Sequence, residues 1–353
     1  MSCKVIQWAT GGVGQAAISN IVAHPDLELV GCWVSSEEKE GRDAGEICGL
    51  PAVGVRATRD VEALIDLEAD CVMYSPVIAD RSLVIRLLAS GKNVVTPLGW
   101  FYPGNRDVSD LEQACLEGGA TLHGTGIHPG GITERFPLMV SALSASITHV
   151  RAEEFSDIRT YGAPDVIRDI MLFGKTPEEA AASPMVQFLG DGFCQSMDMV
   201  AAELGFNIDS GPLALHEVAV ATAPIESPIG VIEPGLVAAQ RFTWQHTVAG
   251  VPVITVRVNW FMGEENLDAG WNFGDGGERF EVEVTGDPSS SVTFHGWHPE
   301  SIAAGLQRNP GIVATANHGV SAIPYVCRAD PGIKTYLDLP LIAGRAAPQL
   351  SLT

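Results

Sequence analysis

Apolar residues fall along this chain in two successive patterns. In the first third they come as short runs at residues 5–8, 27–34, 69–74, 93–96 and 120–123. Between these runs the apolar positions are helically spaced, at 61–67 behind the capping residue Asp60, at 81–90 before Gly91, and at 108–117 before Gly118-Gly119. Strands that are apolar on both faces and alternate with helices predict a parallel sheet covered on both sides. From about Thr133 the pattern changes. Runs at 147–155, 213–222, 238–248, 251–261, 279–285 and 291–295 alternate in part, and turns such as Ala249-Gly250 join them directly. They predict an antiparallel or mixed sheet, with helices at 164–173 and 185–204. Residues 301–317 read as helical again, and the tail is expected to rejoin the first domain.

Ala9-Thr10-Gly11-Gly12-Val13-Gly14-Gln15-Ala16-Ala17 joins the first strand to the first helix. Gly12, Gly14 and Ala17 fit the dinucleotide fingerprint G-x-G-x-x-A. On that register Gly12 allows the tight turn, Gly14 lets the backbone approach a pyrophosphate, and Ala17 packs the helix against the strand. The helix N-terminus adds N–H donors and partial positive charge. Thr10, Gly11 and Val13 complete this contact set. A plain structural turn is the alternative.

In such sheets ligands bind beyond the carboxyl ends of the strands, so the loops there carry the candidate chemistry. After the second strand, Ser35 and Ser36 stand where an NAD site holds Asp or Glu, with Lys39 and Arg42 close behind. Hydroxyls with cations suit a 2′-phosphate and favour NADP, while Glu37 and Glu38 keep NAD open. Ser75 and Pro76 follow the third strand. Thr96 ends the fourth, and Pro97-Leu98-Gly99-Trp100-Phe101-Tyr102-Pro103-Gly104 follows it without a charge. This aromatic loop either walls a pocket over the nicotinamide or packs against the second domain. Leu98, Trp100 and, in the second domain, Tyr161 are the expected substrate contacts. Gly124-Thr125-Gly126-Ile127-His128-Pro129-Gly130-Gly131 follows the fifth strand, and its four glycines imply a close backbone approach. Gly126 and Pro129 are expected at the cofactor. His128 and Tyr102 are the candidate proton donors, with a structural histidine as the alternative for His128.

At 353 residues the chain has room for two domains, and 46% hydrophobic with 18% charged residues describes a well-cored protein. A net charge of −22 disfavours nucleic acid and anionic membranes as partners. It also means that a bound phosphate needs local donors. No apolar run reaches the roughly 20 residues of a membrane helix. No signal peptide is expected ahead of the first strand, and the seven scattered cysteines form no C-x-x-C, so a reduced, cytoplasmic protein is expected. His295 and His298, with only Glu300 nearby, give no reason to expect a metal.

Several stretches together resemble the dihydrodipicolinate reductase-like family that includes 2,4-diaminopentanoate dehydrogenase and the native amine dehydrogenases. They are residues 8–14, 38–46 and 124–130, Glu154-Phe155-Ser156-Asp157, Trp260-Phe261-Met262-Gly263, and residues 322–327. The resemblance implies an α/β protein with an N-terminal Rossmann-type domain, residues 1–132 and 301–353. An α+β substrate and dimerisation domain, 133–300, would complete it. It implies a homodimer and hydride transfer between NAD(P)H and a C=O or C=N carbon of a largely apolar small molecule. By position, Gly12, Val13 and Gly14 would hold the pyrophosphate, and Ser35, Ser36 and Lys39 the ribose or its phosphate. His128 replaces the family's usual asparagine beside the nicotinamide. The amine dehydrogenases carry a glutamate before a Tyr-Pro pair. Here Tyr102-Pro103 is kept, but no carboxylate lies between Asn93 and Gly104. That absence motivates a competing reading, a cofactor-binding protein without turnover. Dihydrodipicolinate reductase activity would call for a basic cluster with a His-His pair, which is missing.

Overall fold

The structure is a computed structural model describing residues 2–274, 277–347 and 350. The chain forms two compact units, Met1–Gly130 with Ile312–Thr353, and Gly131–Gly311.

The first unit contains strands β1 (Cys3–Trp8), β2 (Leu27–Trp33), β3 (Ala57–Thr58), β4 (Cys71–Tyr74), β5 (Asn93–Thr96) and β6 (Thr121–Gly124). They pair in parallel in the order β6-β5-β4-β1-β2-β3, and a further strand, Gly332–Ile333, adds beside β6. Alternate residues of β1 feed opposite cores. Val5 packs with Ala17, Ile18, Ile21, Val320 and Ile323, and Ile6 and Trp8 with Leu83, Leu87, Leu111 and Leu122. Both sets are buried, which is why these strands read as apolar runs. Helix starts follow their caps: Asp60 accepts the Ala63 N–H at 3.0 Å, and Asp80 those of Ser82 and Leu83 at 3.0 and 3.2 Å.

The second unit contains β7 (Ala145–Asp157), β8 (Leu213–Val220), the hairpin β9 (Ile225–Ser227) and β10 (Gly230–Ile232), β11 (Val237–Val248), β12 (Val251–Phe261), β13 (Arg279–Asp287) and β14 (Ser290–Phe294). Its six-stranded sheet runs β14-β13-β7-β12-β11-β8. The β7–β12 pairing is parallel and the others are antiparallel, so the sheet is mixed. Helix Met185–Leu204 lies against one face. Phe193 stacks on Trp244 at 4.9 Å, and a Cβ on Gly190 would fall 2.6 Å from Trp244 Nε1.

Three expectations need correction. The helix expected at 164–173 is shorter, residues 164–170 with Val166–Ile170 in π geometry, stopped where Leu172 turns left-handed at φ 61°. The helix at 301–317 is two helices, Ile302–Gln307 and Pro310–Val326. Pro310 has no N–H and forces the residue before it out of helical geometry. The first of these helices belongs to the second unit, where a Cβ on Gly305 would meet Thr160 at 2.7 Å. The boundaries therefore fall at Gly130/Gly131 and Gly311/Ile312, rather than at 132/133 and 300/301. The expected first domain also spans 348–349 and 351–353, which lie outside the described residues.

Candidate active site

The turn after β1 is built in a register three residues earlier than the one read from the sequence. Ala9 turns left-handed at φ 75°. Gly11 caps helix Gly12–Ala23 in extended geometry and offers no side-chain acceptor to the first-turn N–H groups. A Cβ on Gly14 would lie 2.0 Å from the Ala9 carbonyl oxygen, whereas one on Gly11 would meet nothing within 4 Å. The tight turn thus falls on Ala9, the open backbone on Gly11 and the close packing on Gly14, in the pattern A-x-G-x-x-G. Gly14 makes room for the chain itself rather than for a phosphate. Ala17 sits in the core, Val13 packs at its edge, and Gly12 faces the Ile312 side chain at 3.3 Å. An alanine at the turn position hides this register from a scan for glycines.

Gln7, buried in the middle of β1, braces the turn. Its Nε2 donates to the carbonyls of Trp8 at 3.1 Å and Ala9 at 2.9 Å, and to Ser75 Oγ at 2.9 Å. Ser75 Oγ donates to the Trp8 carbonyl at 3.3 Å. Ser75 is therefore engaged in holding the turn, with Pro76 half-buried after it. A polar residue inside an apolar run was the signal for Gln7. Lys39 Nζ donates to the carbonyl and the hydroxyl of Thr10, at 3.2 Å each, which fastens the loop after β2 over the turn. Ser35 is exposed, and Ser36 precedes the short turn Glu37–Lys39. Arg59, which follows the two-residue β3, stands 3.2 Å from Glu37 and 3.9 Å from Glu40. It is a second cation of this region that the sequence pattern did not mark.

At the ends of β5 and β6, Thr96 is buried. Its Oγ1 accepts the Leu98 N–H at 3.2 Å and its carbonyl the Thr125 N–H at 2.8 Å. A Cβ on Gly124 would fall 2.1 Å from the Gly99 carbonyl oxygen, so the aromatic loop lies directly on the end of β6. Phe101 is buried, and Leu98 and Trp100 are half-buried against the Ile6–Trp8 core. Tyr102 is half-buried nearby in sequence. In the next loop the glycines serve its own fold. A Cβ on Gly130 would lie 2.2 Å from the Gly126 carbonyl oxygen, and one on Gly126 3.0 Å from that of Pro129. The His128–Pro129 bond is cis. Burial pushes the His128 imidazole down to about 3. It is neutral at ordinary pH, and a neutral ring still offers one N–H. Thr125 Oγ1 meets the Tyr336 hydroxyl, which in turn meets His318 Nε2.

Tyr161 belongs to the second unit, half-buried against Ile158 and Met262, and burial raises its phenol. That unit holds carboxyl groups absent from the candidate set. Glu154 Oε1 accepts from Ser156 Oγ at 2.7 Å and Trp260 Nε1 at 3.0 Å, and burial pushes its carboxyl up to about 7. Glu278 is also pushed up to about 7, first by burial, and accepts the Asp157 N–H at 2.7 Å. Glu134 is fully buried, with Oε1 on Ser196 Oγ at 2.5 Å and no partner for Oε2 among the described residues, and burial holds it well above the usual carboxylate range. Among the described residues no three His, Cys, Asp or Glu gather as metal ligands.

Residues 132–349 match the family model of the 2,4-diaminopentanoate dehydrogenase C-terminal domain, and residues 5–95 that of the dihydrodipicolinate reductase N-terminus. An amine dehydrogenase of Streptomyces virginiae is 30% identical over 96% of both chains. The 2,4-diaminopentanoate dehydrogenase of Acetoanaerobium sticklandii is 21% identical over 66% of this chain and 61% of its own. Among solved structures, the amine dehydrogenase from Mycobacterium smegmatis shares the fold with a TM-score of 0.78 over 98% of both chains at 20% identity.

Proposed function

The chain belongs to the family of NAD(P)-dependent dehydrogenases that includes 2,4-diaminopentanoate dehydrogenase and the amine dehydrogenases, and on that premise we propose that it moves a hydride between NADPH and the C=O or C=N carbon of a largely apolar small molecule. The observation that carries this reading is the uncharged aromatic loop, residues 97–104, seated on the end of β6 beside the loop that holds His128.

When bound, the dinucleotide supplies the hydride. The chain supplies binding, orientation and exclusion of water. Gly11 and the uncapped N–H groups of Gly12 and Val13 fit the pyrophosphate, and Thr10 is held in place by Lys39. Ser35, Ser36 and Lys39, with Arg59 behind them, favour the 2′-phosphate of NADPH over NADH. Thr96, Gly126 and Pro129 shape the nicotinamide end, with Ser75 and Pro76 under the turn. His128 offers a neutral N–H there. Leu98, Trp100 and Tyr161 supply apolar surface to the substrate, and the Tyr102 hydroxyl is a proton donor that needs no charge.

We further propose a cytoplasmic homodimer, formed through the sheet face opposite helix Met185–Leu204. Leu213 and Leu215 are 57% and 54% exposed on that face. Arg151, paired there with Glu281 at 3.0 Å and Glu283 at 2.9 Å, adds charge that a second copy can complement. Light scattering of the purified chain tests the dimer.

NADPH oxidation with hydrophobic ketones and aldehydes, with and without ammonium, tests the reaction. Turnover of any such substrate supports it, and tight NADPH binding without turnover across the panel overturns it.

A further inference from the structure

We propose that Cys327 and Cys3 form a peroxide-reactive dithiol, in which Cys327 is oxidised first and Cys3 closes on it as a disulfide that ties the two ends of the first unit together. This modification site lies away from the cofactor loops and stands independently of the hydride-transfer reading.

The cysteines are scattered along the sequence, but the fold gathers three of them. Cys3 opens β1 and Cys71 opens β4. The register sets Cys71 opposite Val5, which puts Cys3, two residues earlier, on the same face of the sheet. Val5 packs on that face with Val320 and Ile323 of helix Pro310–Val326. Cys327 continues this helix, its N–H donating to the Ile323 carbonyl at 2.9 Å. It therefore lies one turn beyond Ile323 on the stripe that meets the sheet. Cys71 belongs to the core formed there, and Cys3 and Cys327 pack against it. The Cys3 and Cys71 thiols both hydrogen-bond to the Cys327 sulfur.

These contacts divide the roles. Cys327 is half-buried, and the hydrogen bonds from Cys71 and then Cys3 hold its thiol below the ordinary value, with Arg328 adding positive charge. Burial pushes other thiols up, Cys48 and Cys115 to about 11 and Cys32 to about 12. The thiolate is the nucleophile, so Cys327 reacts first. Cys3 is the partner with room to move. It is half-buried at the first position of β1, paired to Leu27 of β2, while pairing with β4 begins only at Val5. Cys71 is fully buried and held between Val5 and Asn93. After burial, the charge on Cys327 is what raises the Cys3 thiol, and oxidation of Cys327 removes it.

The Cys327 thiolate attacks one oxygen of hydrogen peroxide. The O–O bond breaks, and the departing hydroxide takes up the thiol proton and leaves as water. The Cys3 sulfur then bonds to the sulfenic sulfur of Cys327. The S–O bond breaks, and that hydroxide leaves as water with the Cys3 proton. Two thiols and one peroxide give one disulfide and two waters, and the two electrons lost by sulfur reduce the peroxide. Because Cys3 and Cys71 stand at the amino ends of their strands, the carboxyl-end loops are untouched.

The test treats the reduced, full-length chain with one equivalent of hydrogen peroxide and blocks the remaining thiols with iodoacetamide. Trypsin then separates the three cysteines into residues 1–4, 60–81 and 309–328. The expected product joins 1–4 to 309–328. Its melting temperature should rise by roughly 5 °C, and dithiothreitol should reverse the change. Cys3→Ser should accumulate a sulfenic acid on Cys327 that dimedone traps. Cys327→Ser should consume peroxide about 10-fold more slowly than wild type. The wild-type peptide map decides the linkage even where a variant folds poorly. A disulfide that contains 60–81, or oxidation of Cys32, Cys48, Cys115 or Cys194 ahead of Cys327, overturns the assignment. Peroxide consumption by Cys327→Ser at the wild-type rate overturns it too. The expected link with no rise in melting temperature would overturn the tie between the two ends.

Discussion

The carbonyl oxygen of Ala9 occupies the space a side chain on Gly14 would need, 2.0 Å from the ideal Cβ position. This contact sets how closely helix Gly12–Ala23 approaches the end of β1, and so where its N–H groups point. Three substitutions separate the roles. Gly14→Ala must push backbone against backbone and is expected to cost about 3 kcal/mol or more, abolishing NADPH binding. Gly11→Ala, at φ −72° with open space around it, should fold normally and bind NADPH at least 10-fold more weakly. Ala9→Gly releases a left-handed alanine and should stabilise by about 1 kcal/mol. Thermal unfolding with NADPH titration measures all three. A Gly11→Ala protein that binds as wild type would show that no phosphate approaches there.

Lys39 gives the second prediction. Its ammonium reaches Thr10 from the loop after β2, where a 2′-phosphate would be met. Lys39→Ala should raise the NADPH dissociation constant about 10-fold and change that of NADH little. Equal losses for both dinucleotides would mean that Lys39 only holds the turn.

Legibility tracked how local the cause of each feature is. Strands Asn93–Thr96 and Val251–Phe261 and helix Met185–Leu204 fall where the apolar pattern places them, because burial of one or both faces is written into consecutive residues. Strands of two residues, Ala57–Thr58 and Gly332–Ile333, are too short to show a period. Glu154 meets Trp260 across 106 positions, and Glu134 meets Ser196 across 62. Neither partner can be read from its neighbours. In β7 an acidic residue looks like the solvent side of an alternating strand, and only the fold shows it enclosed. The Ala9 turn was missed for the opposite reason, since the glycines beside it fit a familiar pattern in a shifted register.

Burial gives Glu134 a measurable signature. Its folded-state carboxyl holds a proton that the unfolded chain releases near the ordinary glutamate range. Stability from this group is therefore full at low pH and declines as pH rises above about 4.5, towards the raised folded value. Glu134→Gln keeps an oxygen for the Ser196 hydroxyl and has no proton to lose. The variant should match wild type at pH 5 and unfold at a higher temperature at pH 8. A wild-type melting temperature whose pH slope is the same in the variant would contradict the buried, protonated carboxyl.

His298 carries the reverse sign. Burial, and then the nearby His295, lower its imidazole to about 4, its ring stacks on Phe280 at 5.5 Å, and neither nitrogen has a partner among the described residues. The unfolded chain takes up a proton near 6.5 that the folded chain refuses, so stability from this residue is full above 6.5 and lost as pH falls towards 4. His298→Phe keeps the stacking with Phe280 and removes the titrating group. Its melting temperature should exceed wild type's by more at pH 5 than at pH 7.5, in scans taken across that range. A constant difference would mean that His298 stays uncharged in both states and that the acid sensitivity lies with His123, whose imidazole burial also lowers to about 4. His123 Nδ1–H donates to the Lys334 carbonyl at 2.7 Å, so its replacement by Phe would leave that carbonyl unmatched and lower stability at every pH.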